Sequence, residues 1–356
     1  MKIERVGLLT GGGDAPGLNA VIRGAVVRLA GDGVAAIGIL EGWRGLLGGA
    51  SCELSVDAVT DIVGEGGTVL GSSRTNPYKN PERDLPRIAE SCRALGLDAL
   101  IAIGGYDTLG VAARLFRDAE LNVVGVPKSI DNDLPATDCA FGFFSAVEAA
   151  TRAMDDLVAT ARSHRRVLVV ECMGRHAGWI AGCAGLAAGA DCVLVPEERL
   201  DVEALCRKLL AARKRGRLHN IVAVAEGVEL GEELVTQAAE KDEFGHPRLG
   251  GVGEMLARII SMKTGLESRH VVLGHLQRAG RPTAFDRILG TRYGVFAAEM
   301  VLAGQFGKMA ALRGGALAAV PLEEATGAIR ALGADLLDLI RMFRDTDSGL
   351  RLPETD

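Results

Sequence analysis

The segment Pro127-Lys128-Ser129-Ile130-Asp131-Asn132-Asp133 sets a lysine, a hydroxyl and two carboxylates directly behind the apolar run Leu121-Asn122-Val123-Val124-Gly125-Val126. The run reads as a buried strand, and Pro127 is expected to stop it where the sheet opens to solvent. Asp131 and Asp133 stand two apart, so in extended chain they project the same way. One carboxylate can then take a proton from a reacting group while the other holds a hydrogen-bond donor or a metal-bound water. Lys128 can meet an anion. Asp-Asn-Asp is also ordinary turn chemistry, and the segment alone does not separate the two readings.

A second segment adds an anion site. Val6-Gly7-Leu8-Leu9-Thr10-Gly11-Gly12-Gly13-Asp14-Ala15-Pro16-Gly17 is an apolar strand running into a glycine turn, followed by a helical pattern from Leu18 to about Ala30. Backbone amides of such a turn, beside a helix N-terminus, cradle anions. A Walker loop would need Lys-Ser/Thr after its last glycine, but Leu18-Asn19 follows Gly17. A dinucleotide fingerprint would need glycine where Pro16 stands, leaving Glu41, after the strand-like run Val34 to Leu40, as its one fitting feature.

These residues need a frame. Strand-like runs at Val6 to Leu9, Ala99 to Ile103, Val123 to Val126, Val167 to Val170, Cys192 to Val195, Ile221 to Ala225 and Val271 to Leu273 alternate with helical patterns. That alternation predicts an α/β chain of parallel sheets flanked by helices, with function at the carboxyl ends of strands. The 356 residues exceed the usual size of one core, so two lobes are expected. No apolar run approaches the roughly 18 residues of a membrane span. The N-terminus enters a strand directly, so a cytoplasmic location without a signal peptide is expected. Seven cysteines, Cys52, Cys92, Cys139, Cys172, Cys183, Cys192 and Cys206, contain no Cys-x-x-Cys pair, which argues against zinc sites and disulfides. A net charge of −6 disfavours nonspecific nucleic-acid binding. The polar tail from Arg344 to Asp356 is expected to fray.

Six separated motifs carry a specific resemblance: Gly11-Gly12-Gly13-Asp14-Ala15-Pro16-Gly17, Leu70-Gly71-Ser72-Ser73-Arg74, Gly104-Gly105, Lys128 to Asp133, Met173-Gly174-Arg175, and Leu273-Gly274-His275-Leu276-Gln277-Arg278. Over nearly its whole length the chain resembles phosphofructokinases of the bacterial type. The resemblance implies a two-lobed fold, with a donor lobe of residues 1–142 plus about 277–326 and a sugar-phosphate lobe of 143–276 plus about 327–356.

The resemblance also implies roles. Asp131 would take the proton of the acceptor's C1 hydroxyl, with Ser129, which stands where threonine is usual, and Asp133 ordering the site, and Lys128 and Arg175 flanking the transferred group. Gly12, Gly13, Arg74, Asp107, Thr108 and Lys128 would contact the donor. Ser129, Asp131, Met173, Gly174, Arg175, Glu226, His275 and Arg278 would bind fructose 6-phosphate. Arg166 and Arg269 would reach across from a neighbouring copy, implying a homodimer or homotetramer. Arginine forks suit a phosphate dianion and Glu226 suits sugar hydroxyls. His164 and His176 have no motif role. In this family an acidic pair after the double glycine and a lysine before Ser/Thr-Ile-Asp mark pyrophosphate users, and glycine at both places marks ATP users. Asp107 and Lys128 therefore imply pyrophosphate: a carboxylate repels a nucleotide's α-phosphate and the lysine grips the shorter anion.

One departure bears on magnesium, the implied cofactor. Tyr106 stands where the family carries an acid, and a phenol is a poor ligand for a hard cation, which leaves Asp107 as the nearest carboxylate. The alternatives are an ATP-dependent enzyme, a kinase for another phosphosugar such as sedoheptulose 7-phosphate, and a low-activity or regulatory homologue. Arg23 fits the family's effector pocket but Val27 replaces an expected arginine, so weak nucleotide-effector control is implied.

Overall fold

The computed structural model describes residues 2–230 and 250–345, and the part of the polar tail after position 345 lies outside them. Among the described residues the chain forms two compact units, one of residues 2–146 and 278–330, the other of 147–230, 250–277 and 331–345.

The first unit is built on an eight-stranded sheet: β1 (Arg5–Gly11), β2 (Ala35–Ile39), β3 (Ser51–Leu54), β4 (Ala99–Gly104), β5 (Val123–Ser129) and β6 (Phe141–Gly142), joined later by β11 (Lys308–Arg313) and β12 (Ala316–Pro321). Its order is β12-β11-β5-β4-β1-β2-β3, with β6 beside the end of β5. Every residue of β4 and β5 is buried, as expected of parallel strands covered on both faces. The helix Leu18–Ala30 begins where expected and packs against the helix Ala284–Leu302. Their approach needs Gly24 and Gly294: a Cβ on the first would lie 2.6 Å from the Thr291 carbonyl oxygen, and one on the second 2.1 Å from that of Val21.

The second unit carries a four-stranded parallel sheet of β7 (Val167–Cys172), β8 (Cys192–Leu194), β9 (Asn220–Ala225) and β10 (Ser268–Val272), in the order β10-β7-β9-β8. The helix Phe143–His164 carries the chain into it. None of the helices among the described residues is long and apolar enough to cross a membrane.

The α/β class holds, with several local corrections. The first sheet is mixed, because β3 and β12 pair antiparallel at its two edges. Pro127 does not end β5, which runs on to Ser129. The Asn122 carbonyl accepts from Leu100 of β4 and the Val123 carbonyl from Gly307 just before β11, so odd-numbered residues of β5 face β11; that pairing ends at Gly125, and the missing N–H of Pro127 falls just beyond the ladder. Asp131 and Asp133 are not linked by extended chain, because Asn132 between them has φ 52° in the left-handed region. The segment Leu70 to Arg74 follows no strand; it is irregular chain laid against the glycine loop.

Candidate active site

Gly11 of β1, Gly104 of β4 and Pro127 of β5 lie in register across three neighbouring parallel strands. The segments that leave these strands therefore emerge side by side, at the carboxyl ends where parallel sheets hold ligands. Thr108 is buried against both glycines: a Cβ would come within 2.5 Å of its Oγ1 at Gly11 and 2.3 Å of its Cβ at Gly104.

The glycine loop is fastened through its carbonyls. Gly12, at φ 81°, donates its N–H to the Ser73 carbonyl at 3.0 Å and accepts from Ser72 Oγ at 2.6 Å. Lys128 Nζ donates to the Gly13 carbonyl at 2.5 Å, and Arg278 Nη1 to that of Asp14 at 2.8 Å. Two cations thus hold consecutive carbonyls of a loop suited to anions. Lys128 is only 5% exposed. Burial, and then repulsion from Arg278, push its amine down to about 7 against the pull of Asp131, Asp133 and Asp14.

Beyond β5 a single hydroxyl organises the acidic segment. Ser129 Oγ donates to Asp133 Oδ1 at 2.6 Å and accepts from the Asp131 amide at 3.1 Å. Asn132 Oδ1 accepts from the Ala140 amide at 3.1 Å, and the Arg330 amide donates to the Asp133 carbonyl at 2.8 Å. Asp131 is thereby set in a fixed, buried position. Asp286, fully buried, accepts from the Gly142 and Ser145 amides and from Ser145 Oγ, which anchors the chain just after β6. Burial raises its carboxyl above the ordinary range.

Tyr106 and Asp107 begin the helix Tyr106–Ala119 behind Gly105, with the phenol exposed and the carboxylate half-buried. Among the described residues no group of three His, Cys, Asp or Glu side chains converges to hold a metal ion. Arg74 is exposed just past Ser73. Thus Gly12, Gly13, Thr108, Lys128, Ser129, Asp131, Asp133 and Arg278 share the carboxyl ends of one sheet's central strands.

The second unit repeats the arrangement. Met173, Gly174 and Arg175 follow β7, Glu226 follows β9, and His275 follows β10. Glu226 Oε1 accepts from the Gly174 amide at 3.2 Å and the Arg175 amide at 2.9 Å. Glu171, buried at the end of β7, accepts from the Gly251 and Gly253 amides at the start of the helix Val252–Thr264. Burial raises its carboxyl above the ordinary range.

Arg166 and Arg269 do not join this set. Arg166 precedes β7 and Arg269 is the second residue of β10, seven and five strand positions from Met173 or about 23 and 16 Å at the rise of a strand, and both pair with Glu267, at 2.7 and 2.9 Å. Those two arginines, led by Arg166, hold the Glu267 carboxyl below its ordinary range. His164 ends its helix and His176 sits in an exposed turn. Sequence reasoning passed over Asn132, Gln277, Asp286 and Arg330. Asn132 and Gln277 lay inside quoted motifs, whereas nothing local marks Asp286 or Arg330.

Comparison with known proteins agrees with this geometry. Residues 5–301 match the family model described as phosphofructokinase. The chain is 52% identical over 343 residues to a pyrophosphate–fructose 6-phosphate 1-phosphotransferase of Streptomyces coelicolor, covering 95% of this chain and 99% of that protein. It is 47% identical over 328 residues to an ATP-dependent 6-phosphofructokinase of the same organism, covering 92% and 96%. The solved phosphofructokinase of Saccharomyces cerevisiae superposes with a TM-score of 0.78 at 30% identity, over 91% of this chain and 45% of that longer one. The chain belongs to the phosphofructokinase family.

Proposed function

We propose that the chain is a diphosphate–fructose-6-phosphate 1-phosphotransferase, moving a phosphoryl group from pyrophosphate to the C1 hydroxyl of fructose 6-phosphate. The observation that carries the choice of donor is Lys128, a buried amine bonded to the glycine loop at the carboxyl end of the sheet. Names of relatives at 52–53% identity point the same way. A nucleotide would need room where Asp107 stands, and a compact tetra-anion needs a point charge such as an ammonium.

In this reading Asp131 takes the proton as the C1 oxygen attacks the terminal phosphorus. The bridging P–O bond breaks and inorganic phosphate departs. Ser129 and Asp133 hold Asp131 in place through the bonds described above. Lys128, Arg74 and the Gly13 amide neutralise the donor, Gly12 allows its close approach to the backbone while its own N–H is held by Ser73, and Arg175 offsets charge on the moving phosphoryl group. Met173, Gly174, Arg175, Glu226, His275 and Arg278 bind the acceptor. Arg166 and Arg269, at the far strand ends of their own unit, serve the acceptor site of a second copy, so the working form is a homodimer or homotetramer.

Magnesium ligation here suits one carboxylate plus donor oxygens, since this ion keeps water and phosphate ligands rather than an all-protein cage. Asp107 is the carboxylate that would hold it, Tyr106 being unable to, and the ion would spread the donor's negative charge. A cytoplasmic, glycolytic setting goes with the reaction.

The test is turnover of fructose 6-phosphate with magnesium and either pyrophosphate or ATP, run beside Tyr106→Glu. Pyrophosphate-only turnover supports the reading, and ATP-only turnover would replace it with the ATP-dependent one that other relatives carry by name. Inactivity with both donors that Tyr106→Glu restores would place the defect at the metal.

A further inference from the structure

Gln277 stands between His275 and Arg278 and is 1% exposed. Its Oε1 accepts from the Met173 amide at 3.3 Å, and its Nε2 donates to the Gly274 carbonyl at 3.1 Å. One planar amide therefore links the loop after β7 to the turn after β10. The backbone ladder between these strands closes with the Leu273 amide on the Glu171 carbonyl at 3.0 Å, and Gln277 continues the link beyond it. From the other side, Glu226 gathers the next two amides of the same loop, those of Gly174 and Arg175. The loop needs such support, because Gly174 at φ 151° and Arg175 at φ 52° adopt backbone that L-residues rarely take.

We propose that Gln277 is a positioning residue for the sugar-phosphate acceptor: its amide fixes the spacing between Met173-Gly174-Arg175 and the turn that carries His275. The inference rests on the reading of those segments as acceptor-binding. A buried glutamine satisfied at both ends of its amide suits this task, since its length is set by bond geometry and neither end can move without leaving a buried polar group unpaired.

The experiment measures KM for fructose 6-phosphate and for pyrophosphate, with calorimetric binding of fructose 6-phosphate alone, in the wild type, Gln277→Met and Gln277→Glu. Gln277→Met keeps the length and removes the amide. It is expected to raise the acceptor KM and dissociation constant by ~10-fold, the scale of one buried unsatisfied group, while the pyrophosphate KM stays within about twofold. Gln277→Glu keeps the acceptor oxygen but sets a carboxylate against the Gly274 carbonyl. Its acceptor KM, relative to wild type at each pH, should fall as acidification lets the carboxyl donate again, and this variant decides the matter if Gln277→Met does not fold. Unchanged acceptor affinity, or equal losses for both substrates with no pH response in Gln277→Glu, would overturn the proposal. Failure of the wild type to bind fructose 6-phosphate at all would overturn the acceptor reading instead.

Discussion

Lys128→Met should make the protein harder to unfold while removing its grip on the donor. The amine sits buried with one backbone carbonyl as bonded partner, and its acidity moves from an ordinary 10.5 to about 7. Folded, it binds fewer protons than the unfolded chain between about pH 7 and 10.5, so unfolding takes up a proton there and wild-type stability rises with pH. Below pH 7 the cost is fully present, on the order of 5 kcal/mol at about 1.4 kcal/mol per pH unit. The stability advantage of Lys128→Met should therefore be largest near pH 6 and shrink by about 1.4 kcal/mol per unit above pH 7. Methionine adds an offset from apolar burial, but that offset does not vary with pH, so the slope is the diagnostic quantity. Urea unfolding from pH 6 to 9, followed through Trp43, which is buried in the same unit, measures it. Pyrophosphate at 100 times its dissociation constant should further stabilise the wild type by about 2.7 kcal/mol and leave the variant unmoved. A constant gap between the two proteins across this range would refute the reasoning.

Asp131→Asn should lower kcat by about 10²- to 10⁴-fold with the pyrophosphate KM little changed and any rise confined to the fructose 6-phosphate KM, since it removes the base that touches the acceptor and no donor contact; steady-state kinetics with pyrophosphate would show this. Tyr106→Glu should lower the magnesium concentration needed for half-maximal rate, read from a magnesium titration at saturating substrates. Asp286→Ala orphans the Gly142 and Ser145 amides and should cost about 3 kcal/mol or more by urea unfolding, because several buried donors lose one acceptor.

The buried strands were legible because β4, β5, β7 and β9 are apolar on both faces and read as continuous runs. The chemistry of the Lys128 to Asp133 segment was legible in its residue types, yet its geometry was not. Pro127 suggested a stop, and it is tolerated inside the strand because its missing N–H faces the β11 side, where pairing has already ended at Gly125. Asn is among the residue types that most readily turn left-handed, so Asp-Asn-Asp carried a turn signal at Asn132, but the bonds to Ala140 and Arg330 that fix it come from distant chain. The hairpin of β11 and β12 is alanine-rich and escaped detection by hydrophobic pattern. Its turn, Gly314-Gly315, both at positive φ, was the available signal, since two glycines between short runs favour a tight hairpin. Strand register separates Arg166 and Arg269 from the other acceptor residues of their own copy, a distance that the motifs alone do not display.

Among the described residues the chain passes from one unit to the other at positions 146–147, 277–278 and 330–331. Neither unit is one continuous stretch of gene, so a chain cut after position 146 would keep everything from Gly12 to Asp133 and still lose the helix Ala284–Leu302 and the strands β11 and β12 that complete the first unit.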